Sequence, residues 1–93
     1  MLKTKKGFVL RKLGKECVVV AIGEASRNFN GMIRLNETGA FYWEALEKGA
    51  TEEDLVAKTL ERYTGVDETT VRGDVKEFLE GISVALDQDA ADD

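Results

Sequence analysis

Apolar residues along this chain change their period near position 36. Up to Leu35 they alternate with polar residues or run together; beyond it they recur at intervals of three and four. The first pattern predicts strands and the second predicts helices. Phe8 to Leu13 and Glu16 to Ile22 read as two strands joined by Gly14-Lys15, a two-residue hairpin loop with glycine first. That loop sets Leu13 opposite Glu16 and Leu10 opposite Val19. Phe8, Leu10, Cys17, Val19 and Ala21 then share one face, with Lys12 near its end. Val9, Arg11, Leu13, Glu16, Val18 and Val20 share the other. The first face carries less charge and is expected to be buried. Residues 23–30 lack periodicity and read as a connection. Gly31 introduces a third strand, Met32 to Leu35, with Ile33 and Leu35 on one face and Met32 and Arg34 on the other.

The helical pattern divides into three. The first helix spans about Glu37 to Lys48, with Asn36 as its N-cap and Gly49 as its stop. Gly39 and Ala40 are small enough to let it approach the sheet closely. The second is capped by Thr51, with Glu52, Glu53 and Asp54 in its first turn, a capping box using Asp for Glu. Its apolar stripe is Leu55, Val56, Leu60 and Tyr63. The third is capped by Asp67 and carries Val71, Val75, Phe78, Leu79 and Ile82, a core-facing stripe. Gly73 and Gly81 each weaken it by up to about 1 kcal/mol relative to alanine. The small, acidic stretch from Ala85 to Asp93 is expected to be disordered. The folded domain is placed at residues 7–86, with flexible termini at 1–6 and 87–93. The fold class is α+β: a small three-stranded antiparallel sheet followed by three helices. Two short helices joined by Lys48-Gly49-Ala50-Thr51 resemble a helix-turn-helix, which makes the expected fold winged-helix-like.

Ninety-three residues leave room for one core. The chain is 43% hydrophobic and 33% charged, which suits a globular protein rather than a disordered one. No apolar run approaches the roughly 20 residues of a membrane helix. The run from Cys17 to Ile22 is too short and too β-branched for a signal peptide. Cys17 is the only cysteine, so no disulfide framework exists, and a reducing, cytoplasmic setting is expected. Charge is uneven. Residues 1–16 carry six Lys or Arg against Glu16 alone, whereas the other seven basic residues face seventeen acidic ones.

Little catalytic chemistry is available. Histidine is absent, which removes the commonest general base and metal ligand. One cysteine makes no zinc or iron–sulfur site, and Cys17 among valines reads as an inert core thiol. Gly31 and Gly39 lack the spacing and the lysine of a phosphate loop. Glu52-Glu53 is explained by its place at a helix start. Asp87-x-Asp89 lacks the glycine and final glutamate of a calcium loop. By elimination the chain is not an enzyme, and no metal or cofactor is expected.

Binding readings remain. A winged-helix DNA-binding regulator needs cations on its helices. Here the second helix sets Lys58 and Arg62 against Glu52, Glu53, Asp54 and Glu61, and the third sets Arg72 and Lys76 against five acidic residues. Such helices repel phosphate, so neither nucleic acid nor membrane is the expected partner. The alternative is peptide capture by strand addition to the free edge of Met32 to Leu35. Each backbone hydrogen bond contributes about 1 kcal/mol net, so four or five fall short of the roughly 8 kcal/mol of a micromolar complex. Side-chain pockets must supply the rest. A third reading is a dimerising or enzyme-docking accessory subunit, since an open edge also serves self-pairing; the expected state is a monomer or weak homodimer.

Gly7-Phe8-Val9-Leu10-Arg11, Val18-Val19-Val20, and Asn30 to Ala40 with Trp43 and Leu46 form a set with Gly49-Ala50-Thr51-Glu52-Glu53 and Asp74-Val75-x-x-Phe78-Leu79. Together these stretches resemble the PqqD family, coenzyme PQQ synthesis protein D and its relatives. The similarity covers residues 7–82, and Leu-Asn-x-Thr-Gly-x-x-x-Trp is its most specific part. It implies a precursor-peptide recognition element without catalysis of its own. Such an element binds the leader of a ribosomally made precursor peptide between the third strand and third helix. It then presents that leader to a modifying enzyme, often a radical S-adenosylmethionine (SAM/SPASM) protein. Carried onto this chain, the implied strand is Met32, Ile33, Arg34 and Leu35, and the implied helix wall is Val71, Arg72, Val75, Lys76, Phe78 and Leu79. Asn36, Gly39 and Trp43 match the motif as architectural residues. Arg34, Arg72 and Lys76 suit an acidic leader. The ending Gly81-Ile82-Ser83-Val84-Ala85-Leu86, leading into an acidic tail, departs from the family's usual Gly-Leu-Ile or Gly-Leu-Leu.

Overall fold

A computed structural model describes residues 1–87. Its strands are β1 (Lys3–Thr4), β2 (Phe8–Leu13), β3 (Glu16–Ala21), β4 (Met32–Leu35) and β5 (Leu86–Asp87). The helices are α1 (Glu37–Lys48), α2 (Glu52–Arg62) and α3 (Glu68–Gly81), with single 3₁₀ turns at Gly23–Arg27 and Ser83–Ala85. The main sheet is antiparallel in the order β2-β3-β4, and three helices follow it, an α+β architecture. The connection expected at 23–30 is thus partly a 3₁₀ turn.

The hairpin takes the register that its loop dictates. Gly14, at φ 65°, supplies the left-handed first position that a two-residue turn needs. Leu13 lies opposite Glu16 and Leu10 opposite Val19. At the other end of the ladder the Ile22 N–H donates to the Gly7 carbonyl at 2.7 Å. Backbone polar groups alternate sides along a strand, so even-numbered residues of β3 bond to β2 and odd-numbered ones to β4. Val19 faces Ile33 and Cys17 faces Leu35. The N–H and C=O groups of Ile33 and Leu35 therefore point into the sheet, and those of Met32 and Arg34 point out of its open edge.

The helix caps follow from residue chemistry. Asn36 Oδ1 accepts from the Gly39 N–H at 2.7 Å. Thr51 and Asp54 form a reciprocal capping box, each bond 3.0 Å, and Asp67 Oδ2 accepts from the Thr70 N–H at 3.1 Å. The core lies between the sheet and the helices. Trp43, Leu46, Leu55, Val56, Val71, Val75 and Ile82 are buried in it, together with Phe8 and Val19 from the expected face of the hairpin. Val18, on the opposite face, is buried as well: it lies between Arg11 and Arg34 on neighbouring strands, whose long stems screen a central position. Cys17 is half-buried near the sheet's end.

The ends of the described chain depart from expectation. Lys3 pairs with Asp87 and Thr4 with Leu86 across β1 and β5, and Leu2 exchanges backbone hydrogen bonds of 2.8 and 2.9 Å with Ala50. Residues 1–6, expected to be flexible, are therefore tied down. Ala85 and Leu86, expected in a disordered tail, are buried in the core. Their apolar side chains find a place under the helices, and strands of two residues are too short to show a period. Asp87 is exposed in β5, and residues 88–93 of the expected tail lie outside the described residues.

A groove beside the open strand

Between β4 and α3 runs an open groove of about 440 Å³. Its strand side is Ile33, Arg34 and Leu35, and its end is closed by Asn36, Thr38 and Gly39 of the α1 N-terminus. Tyr42 and Ile82 form an apolar floor. The α3 wall is Asp74, Glu77, Phe78 and Gly81. Phe78, half-buried, lies 5.1 Å from the Tyr42 ring at a tilt of 57°, a favourable aromatic geometry.

Gly39 sets the groove's depth. A Cβ there would sit 3.2 Å from Phe78 Cε1, 3.3 Å from Leu35 Cβ and 3.3 Å from Asn36 Oδ1. The small residue read as an architectural contact thus also lines the groove, as does the capping Asn36. Trp43 is fully buried behind them, and its indole N–H has no hydrogen-bond partner among the described residues. Burial pushes the Tyr42 phenol above its ordinary range; a hydrogen bond with Thr59 opposes that rise, and the nearby Asp74 carboxylate adds to it. Thr59 in turn donates to the Leu55 carbonyl at 2.7 Å.

The residues expected at the site divide into three groups. Met32, Ile33, Arg34 and Leu35 form the edge strand, and Phe78 stands across the groove from it. Met32 is 53% exposed on the outer sheet face, and Arg34 extends over that same face toward Glu16, 3.5 Å away. Val71, Val75 and Leu79 point into the core, with Val75 fully buried. Arg72 and Lys76 lie on the far flank of α3. Arg72 bonds Glu53 of α2 at 2.7 Å and Glu68 at 2.9 Å, which holds the Glu53 carboxyl below its usual range. Of the wall expected from the sequence, Phe78 lines the groove and the other five residues belong to the core stripe or its far flank. The groove face lies one residue earlier, at 74, 77, 78 and 81. One helical residue turns the surface by about 100°, so subtracting one from the core positions finds Asp74 and Gly81, which the sequence reading missed.

A second cavity, about 410 Å³, opens under the hairpin turn between Lys12, Cys17, Phe41, Arg62 and Tyr63, and shares Leu35 with the groove. The Arg62 guanidinium lies 5.0 Å from the Phe41 ring centre there. Among the described residues no group of three His, Cys, Asp or Glu side chains is placed to hold a metal ion. No helix among them is long and apolar enough to cross a membrane.

Fold and groove together define a small α+β domain whose unpaired sheet edge faces a helix across an apolar floor. The chain belongs to the PqqD family: the family model of coenzyme PQQ synthesis protein D matches residues 16–83. Two solved structures share the fold. One is TbiB1 in complex with the TbiA(beta) leader peptide, 25% identical, with 97% of this chain and 99% of that chain covered and a TM-score of 0.74. The other is a lasso peptide synthetase B1 complexed with the leader peptide, 16% identical, with coverage of 88% and 89% and a TM-score of 0.69. No curated protein matches the chain in sequence.

Proposed function

We propose that this protein is a non-catalytic peptide-binding module that captures the leader of a ribosomally made precursor peptide and presents it to a modifying enzyme. The leader adds as a strand to β4, using the outward N–H and C=O groups of Met32 and Arg34, and its side chains enter the groove against Phe78, Tyr42 and Leu35. The observation that carries this reading is the open edge of β4 facing α3 across an apolar floor. Membership of the PqqD family and the likeness to TbiB1, a protein complexed with a leader peptide, support it.

Four edge hydrogen bonds contribute about 4 kcal/mol net, half of what a micromolar complex needs. The groove must contribute the remainder through buried apolar area, at roughly 25 cal/mol per Å². A leader with bulky apolar residues at alternate positions meets that need. The enzyme served is a radical SAM protein of the SPASM type, as the family resemblance implies.

The test is amide chemical-shift mapping with short synthetic peptides that carry bulky apolar residues at alternate positions. Perturbations concentrated on Met32–Leu35 and on Asp74, Glu77, Phe78 and Gly81 are expected. Shifts confined to the basic hairpin, or tight and steeply salt-dependent binding of random duplex DNA, would overturn the reading.

A further inference from the structure

The α3 wall of the groove is acidic, and the fold leaves it unneutralised. Asp74 and Glu77 both line the groove, and neither makes an ion pair among the described residues. Of the cations that an acidic leader would need, two lie off this wall, and the third, Arg34, lines the strand side of the groove while reaching Glu16. Arg72 is held between Glu53 and Glu68 on the far flank, Lys76 shares that flank, and Arg34 extends over the outer sheet face to Glu16. Asp74 also acts on the groove floor, since its charge helps raise the Tyr42 phenol's pKa.

Spacing makes this arrangement selective. Asp74 and Glu77 are three residues apart on one helix face, a rise of about 4.5 Å. Side chains on one face of a strand repeat every 6.6 Å or so. For a strand lying along α3, one side chain would meet both carboxylates and the next on the same face would fall over the apolar part of the groove.

We infer that the groove selects a leader strand bearing Lys or Arg toward Asp74 and Glu77, with a bulky apolar residue two positions away against Phe78 and Tyr42. This rests on the strand-capture reading above and reverses the acidic leader expected from Arg34, Arg72 and Lys76. Both carboxylates are exposed, so Asp74→Asn and Glu77→Gln leave the fold intact.

The experiment uses the full chain and a set of short synthetic peptides on a fixed Val-Thr-Leu background, with Lys, Arg, Glu or Ala placed at each position in turn. Affinity is read by anisotropy and the contact surface by amide shifts on β4. Lys or Arg at one position is expected to tighten binding about two- to fivefold over Ala per carboxylate met, and Glu there to weaken it. The preference should shrink with added salt and vanish in the Asp74→Asn/Glu77→Gln variant while the β4 shifts persist. Binding on β4 without a basic preference, or a preference that survives the double variant, overturns the inference alone. No peptide binding and no β4 shifts overturn the strand-capture reading and this inference with it.

Discussion

Proline placed at successive positions of β4 separates an edge that accepts a strand from one that is merely exposed. The Arg34 N–H points out of the sheet, so Arg34→Pro removes no ladder bond; proline is tolerated on an edge strand in that phase. The Ile33 N–H points toward fully buried Val19. Ile33→Pro loses that bond, worth about 1 kcal/mol, and strands the partner carbonyl at a further cost of about 1–3 kcal/mol. For a domain near the low end of roughly 5–15 kcal/mol, that is a large fraction of its stability. At about 4–8 °C per kcal/mol, Ile33→Pro should lower Tm by roughly 8–32 °C and Arg34→Pro by less than about 8 °C. Peptide binding should behave oppositely in the variant that stays folded. Arg34→Pro removes one donor, about fivefold in affinity, and its ring obstructs the incoming strand, so at least about tenfold weakening is expected. Arg34→Ala, which removes only the contact with Glu16, should bind nearly as the parent does. Calorimetric melting and peptide titration read the two effects. A folded Arg34→Pro protein that binds the leader undiminished refutes strand addition at this edge. A stable Ile33→Pro protein refutes the ladder phase.

Three further outcomes follow from particular contacts. Val75→Asp places a carboxylate at a fully buried core position, and circular dichroism should show an unfolded chain rather than a folded one deficient in binding. Gly39→Ala gains up to about 1 kcal/mol of helix propensity but crowds Phe78 and Leu35; melting should change little, while leader affinity falls as the groove floor rises. The Tyr42 phenol is raised above its ordinary value of 10.0, so the folded state holds that proton more tightly than the unfolded chain. Its effect on stability is absent below about pH 10 and becomes a loss as pH rises through and beyond that value. Denaturant titration should find Tyr42→Phe losing less stability than the parent between pH 8 and pH 11, and equal losses would refute the assignment.

How far the sequence reaches depends on how local the signal is. Gly14-Lys15 specifies the hairpin register because a two-residue loop leaves no freedom in pairing. Asn36, Thr51 and Asp67 mark the helix starts because each cap is a bond between residues three apart. The α3 stripe is equally visible, but periodicity does not say which of its members turn toward the groove: Val71, Val75 and Leu79 went to the core, whereas Phe78 stands on the groove wall. Asp74 and Glu77 stood in the sequence as contributors to net charge, and only the direction of α3 relative to β4 gives them a site. That direction is set by contacts distant in sequence, such as Tyr42 with Phe78. Lys3–Thr4 against Leu86–Asp87 was illegible for the same reason: two-residue strands carry no periodic signal, and their partners lie at opposite ends of the described chain.

That pairing bears on how the groove works. The far end of α3 runs through the Ser83–Ala85 turn into β5, β5 is bonded to β1, and Leu2 just before β1 is bonded to Ala50 at the α1–α2 junction. The acidic wall is thus belted to the helix that forms the floor. Swinging α3 away from β4 would require unzipping these bonds and withdrawing Leu86 from the core. The groove is a slot of preset width rather than a jaw, so fit is demanded of the incoming peptide. A leader that is too bulky should be refused rather than accommodated.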